Sequence, residues 1–365
     1  MSLFILGCVV PAFWVSFLAT WAVRGLAPRW GLIDKPAARK FHITPTPLGG
    51  GLGIVCGVVL PLALAQLAYV VLAQQPPAWL PEEMVRLLDA VAYRSPQLWI
   101  VIGCASVLSV VGLLDDFRPL GWLPRLGLQF LMATILVAAG VRATVFVENP
   151  WIGAVLSVGW FVVLVNSFNF LDNMDGLSSG IALIVSGVFA VMMLTGGSEP
   201  RWLVAGFFLI LAGSLLGFLC HNWSPARIFM GDCGSYFIGF SIASMTVLGT
   251  FYTKEATDRH VMLAPFCVLA IPLYDICSVV ILRLREGRSP FQPDKRHFSH
   301  RLVAMGLRPV HAVLTVHLAT LTTSLGGIVL YSVPTWSASV APLAMVACVL
   351  LIIGVLESTP RPGKE

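Results

Sequence analysis

Residues 99–116 read Trp-Ile-Val-Ile-Gly-Cys-Ala-Ser-Val-Leu-Ser-Val-Val-Gly-Leu-Leu-Asp-Asp: an uncharged run from Trp99 to Leu114 that ends on two adjacent carboxylates, Asp115 and Asp116. Such a stretch describes a helix that crosses a bilayer and stops at its surface, since a hydrocarbon core about 30 Å thick asks for roughly 20 mostly apolar residues per helix. The pattern recurs. Ile181–Leu194 and Ala341–Leu356 also hold no Asp, Glu, Lys or Arg. Across all 365 residues the chain is 57% hydrophobic and 11% charged, with a mean hydropathy of +0.86. A soluble globular chain carries about 25% charged residues, so the composition specifies an integral membrane protein.

Working outward from this run, the sequence predicts an all-α, polytopic membrane protein of about eleven spans, near 3–22, 49–73, 97–114, 126–141, 153–171, 178–195, 202–220, 236–252, 261–282, 310–331 and 338–356. An odd number puts the termini on opposite sides, and basic loops stay cytoplasmic. With the N-terminus outside, 17 of the 23 Lys and Arg residues fall on the inner side and 6 on the outer side. The expected orientation is therefore N-terminus out and C-terminus in the cytoplasm. No repeat and no linker divides the chain, so residues 1–365 are read as one membrane domain. Its catalytic loops are expected on the cytoplasmic side, near 23–48, 115–125, 172–178, 221–235 and 283–309. Within the largest outer loop, 74–96, Glu82–Ala90 is expected as a short interfacial helix.

Several classes fall away. A net charge of +5 without a basic run interleaved with aromatics does not fit a nucleic-acid binder. The eight cysteines stand singly, with no CxxC pair, so no disulfide framework is expected. Leu6-Gly7-Cys8 lacks the basic residue and long apolar run of a cleaved lipoprotein leader. No GxxxxGK[ST] loop is present for ATP hydrolysis.

The acidic residues gather on the inner side, several where an apolar helix ends. Any one of them is matched by an ordinary helix terminus in water; clustered at a membrane boundary, they read as functional. Besides Asp115 and Asp116, the segment Asn166-Ser-Phe-Asn169-Phe-Leu-Asp172-Asn173-Met-Asp175-Gly176 spaces four polar groups by three, which on a helix makes one drifting stripe. Capping needs one such residue, not four. In Phe229-Met-Gly231-Asp232-Cys-Gly234-Ser, glycines on both sides of an Asp let backbone amides approach a bulky ligand, although the pattern alone also fits a turn. Phe229 is placed to stack on a planar base or to face core or lipid.

Two basic loops face these acids. One runs Arg288-Ser-Pro-Phe-Gln-Pro-Asp294-Lys295-Arg296-His297-Phe-Ser299-His300-Arg301. Its His-x-x-His lacks the Glu and the further ligands of a zinc site, and its arginines suit bidentate contacts to phosphate. The other holds Lys40 and His42 ahead of Pro45, Pro47 and Gly49-Gly50-Gly51, a rigid turn whose basic groups fit an anionic head group as well as a plain orientation signal. Carboxylates and an Asn amide oxygen suit a hard cation such as Mg²⁺, which takes one or two carboxylates with phosphate oxygens and water. Phosphoryl chemistry is then chiefly positioning and charge neutralisation.

Taken in order, Leu48-Gly-Gly-Gly, Gly112-Leu-Leu-Asp-Asp, Asn166 to Gly176, Phe229 to Ser235 and Arg288 to His297 resemble the polyprenyl-phosphate N-acetylhexosamine-1-phosphate transferase superfamily, over about residues 30–305. Within it, the Arg-Ser-Pro-Phe loop resembles the undecaprenyl-phosphate N-acetylglucosaminyl-1-phosphate transferase branch rather than the muramoyl-pentapeptide branch, which carries three successive histidines. The resemblance implies transfer of an N-acetylhexosamine 1-phosphate, most simply from UDP-GlcNAc, to undecaprenyl phosphate. UMP would be released and a lipid-linked cell-envelope glycan begun at the cytoplasmic face of the plasma (inner) membrane. It implies Mg²⁺, with Mn²⁺ as the alternative ion, bound by Asn169 and Asp232. Catalytic roles are implied for Asp115, Asp116, Asp172 and Asp175, and substrate contacts for Lys40, His42, Asn166, Phe229, Arg296, His297 and His300. A homodimer is left open.

One departure stands out: relatives of this branch read His-Ile-His-His, whereas here Ser299 replaces the middle histidine. That bears on sugar preference or on the reach of the loop. The rivals are a muramoyl-pentapeptide-type transferase and, in another class, a secondary transporter, whose polar residues would sit near the midplane of broken helices within repeats. The signature of CDP-alcohol phosphotransferases is absent.

Overall fold

The computed structural model describes residues 1–35, 44–74, 82–143, 149–196, 200–249, 259–290 and 296–358; for 72–74, 82–94 and 259 it describes the backbone alone. These residues form thirteen α-helices: α1 (Ser2–Trp30), α2 (Gly51–Gln74), α3 (Glu82–Phe117), α4 (Trp122–Ala138), α5 (Pro150–Leu171), α6 (Leu177–Thr195), α7 (Trp202–Asn222), α8 (Gly231–Leu248), α9 (Ala264–Val268), α10 (Ala270–Arg285), α11 (Phe298–Ala304), α12 (Pro309–Ser332) and α13 (Trp336–Ser358). A short antiparallel ribbon pairs β1 (Ile33–Asp34) with β2 (Thr46–Pro47), Ile33 opposite Pro47. The all-α expectation holds apart from this ribbon.

Among the described residues eight helices are long and apolar enough to cross a bilayer: α1, α2, α3 from Ser95 onward, α5, α6, α7, α12 and α13. A ninth span results if His260–Val268 and Ala270–Arg285, bent by 70°, count as one. Of the remaining expected spans, α4 is apolar but 17 residues long. The other, α8, is buried along nearly its whole length, as a helix enclosed by neighbours should be.

In hydrocarbon every backbone polar group needs an internal partner, and this selects helices throughout. The outer helices turn large apolar side chains outward, among them Leu60, Leu64 and Leu67 on α2 and Leu351, Ile352 and Val355 on α13. With lipid outside and no water to expel, helices associate by close packing of small residues. On α7, Gly213 and Gly217 lie against the Val9 and Phe13 carbonyls of α1, where an added Cβ would clash with each oxygen.

The structure corrects the sequence reading in three places. The stretch Glu82–Ala90 is not a separate interfacial helix but the start of α3, which runs on through Pro96. The single span expected over 261–282 is broken between α9 and α10. Pro272 has no N–H to offer the Val268 carbonyl, and Ser324 Oγ on α12 hydrogen-bonds that carbonyl instead, at 3.3 Å. The loop 283–309 contains α11, seven residues that begin just after His297.

Candidate active site

A cavity of about 740 Å³ opens where α3, α5 and α10 end, α8 begins, and the His297–His300 segment returns. Its wall includes Asp115, Asp116, Asn169, Asp172, Asp175 and Asp232, so acids from three distant stretches of chain converge. Phe229, His297 and His300 complete the set of expected residues around it, joined by Asp34, Arg125 and Arg283.

Asp232 sits in the first turn of α8, whose backbone amides favour a negative charge. Its Oδ1 accepts Asn169 Nδ2 at 2.7 Å, and its Oδ2 accepts the Tyr236 hydroxyl at 3.2 Å and Arg125 Nη1 at 3.3 Å. The same Arg125 nitrogen stands 2.8 Å from Asp115 Oδ2, so one cation bridges two carboxylates. Asp115 also accepts the backbone N–H of Leu120.

Asp116 accepts the backbone N–H groups of Asp232 at 3.0 Å and Cys233 at 3.3 Å. Two glycines permit this. Gly231 has φ +75°, and a Cβ there would meet the Asp116 carboxylate; at Gly112 a Cβ would strike the Asp232 backbone. The glycines flanking Asp232 therefore admit protein groups rather than an open cradle for ligand, because Gly234 is packed against Met230 and Gly51.

The expected polar stripe is only half helical. α5 ends at Leu171, Asp172 is its C-cap, and Asp175 lies in the following turn. Asp172 accepts the Gly231 backbone N–H, while Asp175 Oδ2 accepts that of Ala226 at 3.0 Å. Burial, reinforced by the charges of Asp232 and Asp175, pushes Asp172 up to about 7 against the opposing effect of the Gly231 hydrogen bond.

Phe229 is fixed by its backbone, donating to the Pro47 carbonyl and accepting from Gly50, both at 2.9 Å. Thus the ribbon segment carries Asp34, Leu48 and Phe229 to one wall. Behind His297, buried Asp275 on α10 accepts His297 Nδ1 and the Phe298 N–H, each at 2.8 Å. The Phe170 ring packs edge-on against His297, 5.5 Å between centroids.

Two expected contacts lie elsewhere. Asn166 donates to Gln129 Oε1 on α4 at 2.6 Å and does not line the cavity. Arg296 pairs with Glu286 and is not part of the lining. Lys40 and His42 fall outside the described residues. Ser299, at the position of the replaced histidine, donates to Asn173 Oδ1 at 2.8 Å, tying α11 to the α5–α6 turn.

Some participants escaped sequence reading. Asp275 carried a usable signal, an acid inside an otherwise apolar segment. Tyr236 is one helical turn beyond Asp232, a spacing that brings two side chains together. Nothing in the order of residues tied Arg125 to Asp232.

Among the described residues no three His, Cys, Asp or Glu side chains form a ready cage for a metal. Mg²⁺ needs no such cage, since substrate phosphates and water supply most of its ligands. Asp232 and Asn169 are in contact through Asn169 Nδ2, and with the amide turned over to offer its oxygen they are a donor set of that kind, so the residues present fit the ion.

Comparison with known proteins gives the family. A decaprenyl-phosphate N-acetylglucosaminephosphotransferase of Mycobacterium tuberculosis (strain H37Rv) is 34% identical over 327 residues, covering 83% of this chain and 77% of its own. The profile of glycosyl transferase family 4 matches residues 98–250. The chain belongs to this family. Other family 4 relatives include a Bacillus subtilis (strain 168) protein named probable undecaprenyl-phosphate N-acetylglucosaminyl 1-phosphate transferase, 32% identical over 340 residues and covering 90% of this chain and 86% of its own. The undecaprenyl-phosphate alpha-N-acetylglucosaminyl 1-phosphate transferase of Escherichia coli (strain K12) is 27% identical over 344 residues, covering 90% and 85%. The family match spans α3 to α8, the helices that deliver Asp115, Asp116, Asn169, Asp172 and Asp232.

Proposed function

We propose that this protein transfers N-acetylglucosamine 1-phosphate from UDP-N-acetylglucosamine to a polyprenyl phosphate such as undecaprenyl phosphate. An oxygen of the lipid phosphate attacks the β-phosphorus, the bond between that phosphorus and the bridging oxygen breaks, and UMP leaves with the bridging oxygen. The reading is carried by the convergence of six acids, three asparagines and two histidines on one cavity at the ends of membrane helices. The relatives' names supply the sugar and the lipid.

The residues divide the work. Asp232 and Asn169 would hold Mg²⁺, which when bound neutralises charge on the diphosphate. Asp116, fixed by two backbone N–H groups, and Asp115, held by Arg125, present carboxylates toward the space where the lipid phosphate must lie. Asp172, with its raised affinity for a proton, is placed to take one from an attacking phosphate. His297, oriented through Nδ1 by Asp275, turns its other ring nitrogen to the departing diphosphate. Phe229, which lines the same cavity, would stack on uracil.

The distribution of Lys and Arg, 17 against 6, supports an eleven-span chain with its N-terminus outside and the cavity open to the cytoplasm of a plasma membrane. Nucleotide sugar and lipid head group meet there. The test is UMP release by purified protein given Mg²⁺, undecaprenyl phosphate and a panel of UDP-sugars. UDP-N-acetylglucosamine should be preferred, and Asp116→Asn or Asp232→Asn should abolish release. Release unaffected by both substitutions rules the mechanism out.

A further inference from the structure

The two cavity histidines stand at the start of α11, so whatever fixes that seven-residue helix fixes them. Asp275 holds its first turn, as described above. The middle of the helix, next to His300, is held differently: Arg301 Nη2 donates to Ser278 Oγ on α10 at 3.0 Å and stands 2.9 Å from Glu357 Oε1 on the last turn of α13. The second oxygen, Glu357 Oε2, accepts the Tyr274 hydroxyl of α10 at 2.6 Å. Side-chain exposure is only 14% for Arg301 and 8% for Glu357.

An enclosed carboxylate at the end of a membrane helix is costly unless paired, and its default reading is functional. Glu357 does not touch the cavity. Its two oxygens instead join α13 to α11 and α10, the two helices that carry the histidines and their aspartate.

We propose that Glu357 is a positioning residue: paired with Arg301 and braced by Tyr274, it sets where His297 and His300 stand against the nucleotide sugar. This rests on reading the cavity as the site of sugar-phosphate transfer. A residue acting through the histidines changes the handling of the UDP-sugar and leaves the lipid phosphate, held on the acidic side, alone.

The experiment measures UMP release by the full-length protein in detergent while varying each substrate in turn. For Glu357→Ala the KM for UDP-N-acetylglucosamine should rise by about tenfold, the lower end for loss of a supporting partner. The KM for undecaprenyl phosphate should stay within about twofold. Glu357→Gln, which keeps the length and the acceptor for Tyr274, should fall between, and Tyr274→Phe should show a smaller effect of the same kind. If Glu357→Ala does not fold, Tyr274→Phe and Glu357→Gln decide the matter. Unchanged kinetics in the folded variants, or equal losses toward both substrates, overturn the proposal. No UMP from the unsubstituted protein overturns the transfer reading itself, and the proposal with it.

Discussion

Asp116, the last acid of α3, hydrogen-bonds the backbone N–H of Asp232 at 3.0 Å, so the N-terminus of α8 is capped by a carboxylate from another helix. The neighbouring Cys233 N–H, at 3.3 Å, is shared by the same group. A helix N-terminus leaves such donors without partners of its own. By satisfying them, Asp116 joins the two acidic motifs into one rigid unit, and Asp232 projects from the turn that Asp116 holds.

This unit depends on Gly231, whose φ of +75° a side chain adopts at a cost of about 1–2 kcal/mol and whose Cβ would meet the Asp116 carboxylate. Gly231→Ala should therefore reduce UMP release by at least about a hundredfold, or about 2.7 kcal/mol of transition-state stabilisation. Helix content by circular dichroism should stay near that of the parent. Near-parental turnover would show that the cap does not govern the site.

Arg125 is the cation between Asp115 and Asp232, at 2.8 and 3.3 Å. Arg125→Ala leaves those carboxylates facing one another and should lower kcat/KM by tenfold or more, about 1.4 kcal/mol or above. Both contacts run through the single nitrogen Nη1, whose place a lysine ammonium can take, so Arg125→Lys should recover much of the rate. Steady-state kinetics of the two variants decide between charge and geometry; equal rates for Ala and the parent would dismiss both.

The proton affinity of Asp172 has a definite sign. Its value in the folded protein is about 7, above the ordinary carboxylate value of 3.8, so the folded state binds a proton more tightly than the unfolded chain. Stability from this group is greatest below 3.8 and declines as pH rises toward about 7, flattening above. Without divalent cations, the thermal midpoint of the protein should thus be higher at pH 5.5 than at pH 8, and Asp172→Asn should flatten that difference. Added Mg²⁺ should raise the midpoint more at pH 8 than at pH 5.5, since protons and the cation compete for the same acidic cluster. Differential scanning fluorimetry across this range reads both effects.

Asp275 is buried and accepts both His297 Nδ1 and the Phe298 N–H at 2.8 Å. Asp275→Asn offers one oxygen where two were used and should lower kcat by about 10- to 100-fold, by analogy with loss of the carboxylate behind a metal-bound histidine. Asp275→Ala should cost more, because it leaves two buried donors without an acceptor. Turnover in Asp275→Asn equal to that of the parent would mean that His297 needs no orienting partner.

The membrane character, most helix positions and the acidic motifs were legible in the order of residues. Apolar runs such as Trp99–Leu114 have only one way to satisfy their backbone in lipid, so composition alone predicts the helix. The ends of helices were less legible. Asp172 and Asp175 have helical spacing, yet α5 stops before them, because the turn is held by Gly231 and Ala226 from another part of the chain. Asn166 shares that spacing and faces α4. Glycines 231 and 234 suggested a ligand cradle by type, while their function in packing appears only once α3 and α2 are seen against α8.

By itself the sequence determined a helical membrane protein and the chemistry available to it: anionic groups at helix ends, a basic histidine loop and an order of motifs matching a transferase family. Those properties follow from local hydropathy and residue type, which depend on neighbours in the chain. Only the tertiary structure decided that Arg125 bridges Asp115 and Asp232, that Asp275 carries His297, and that Glu357 braces α11. Each is a contact between remote segments, fixed by helix packing over distances that no local pattern encodes.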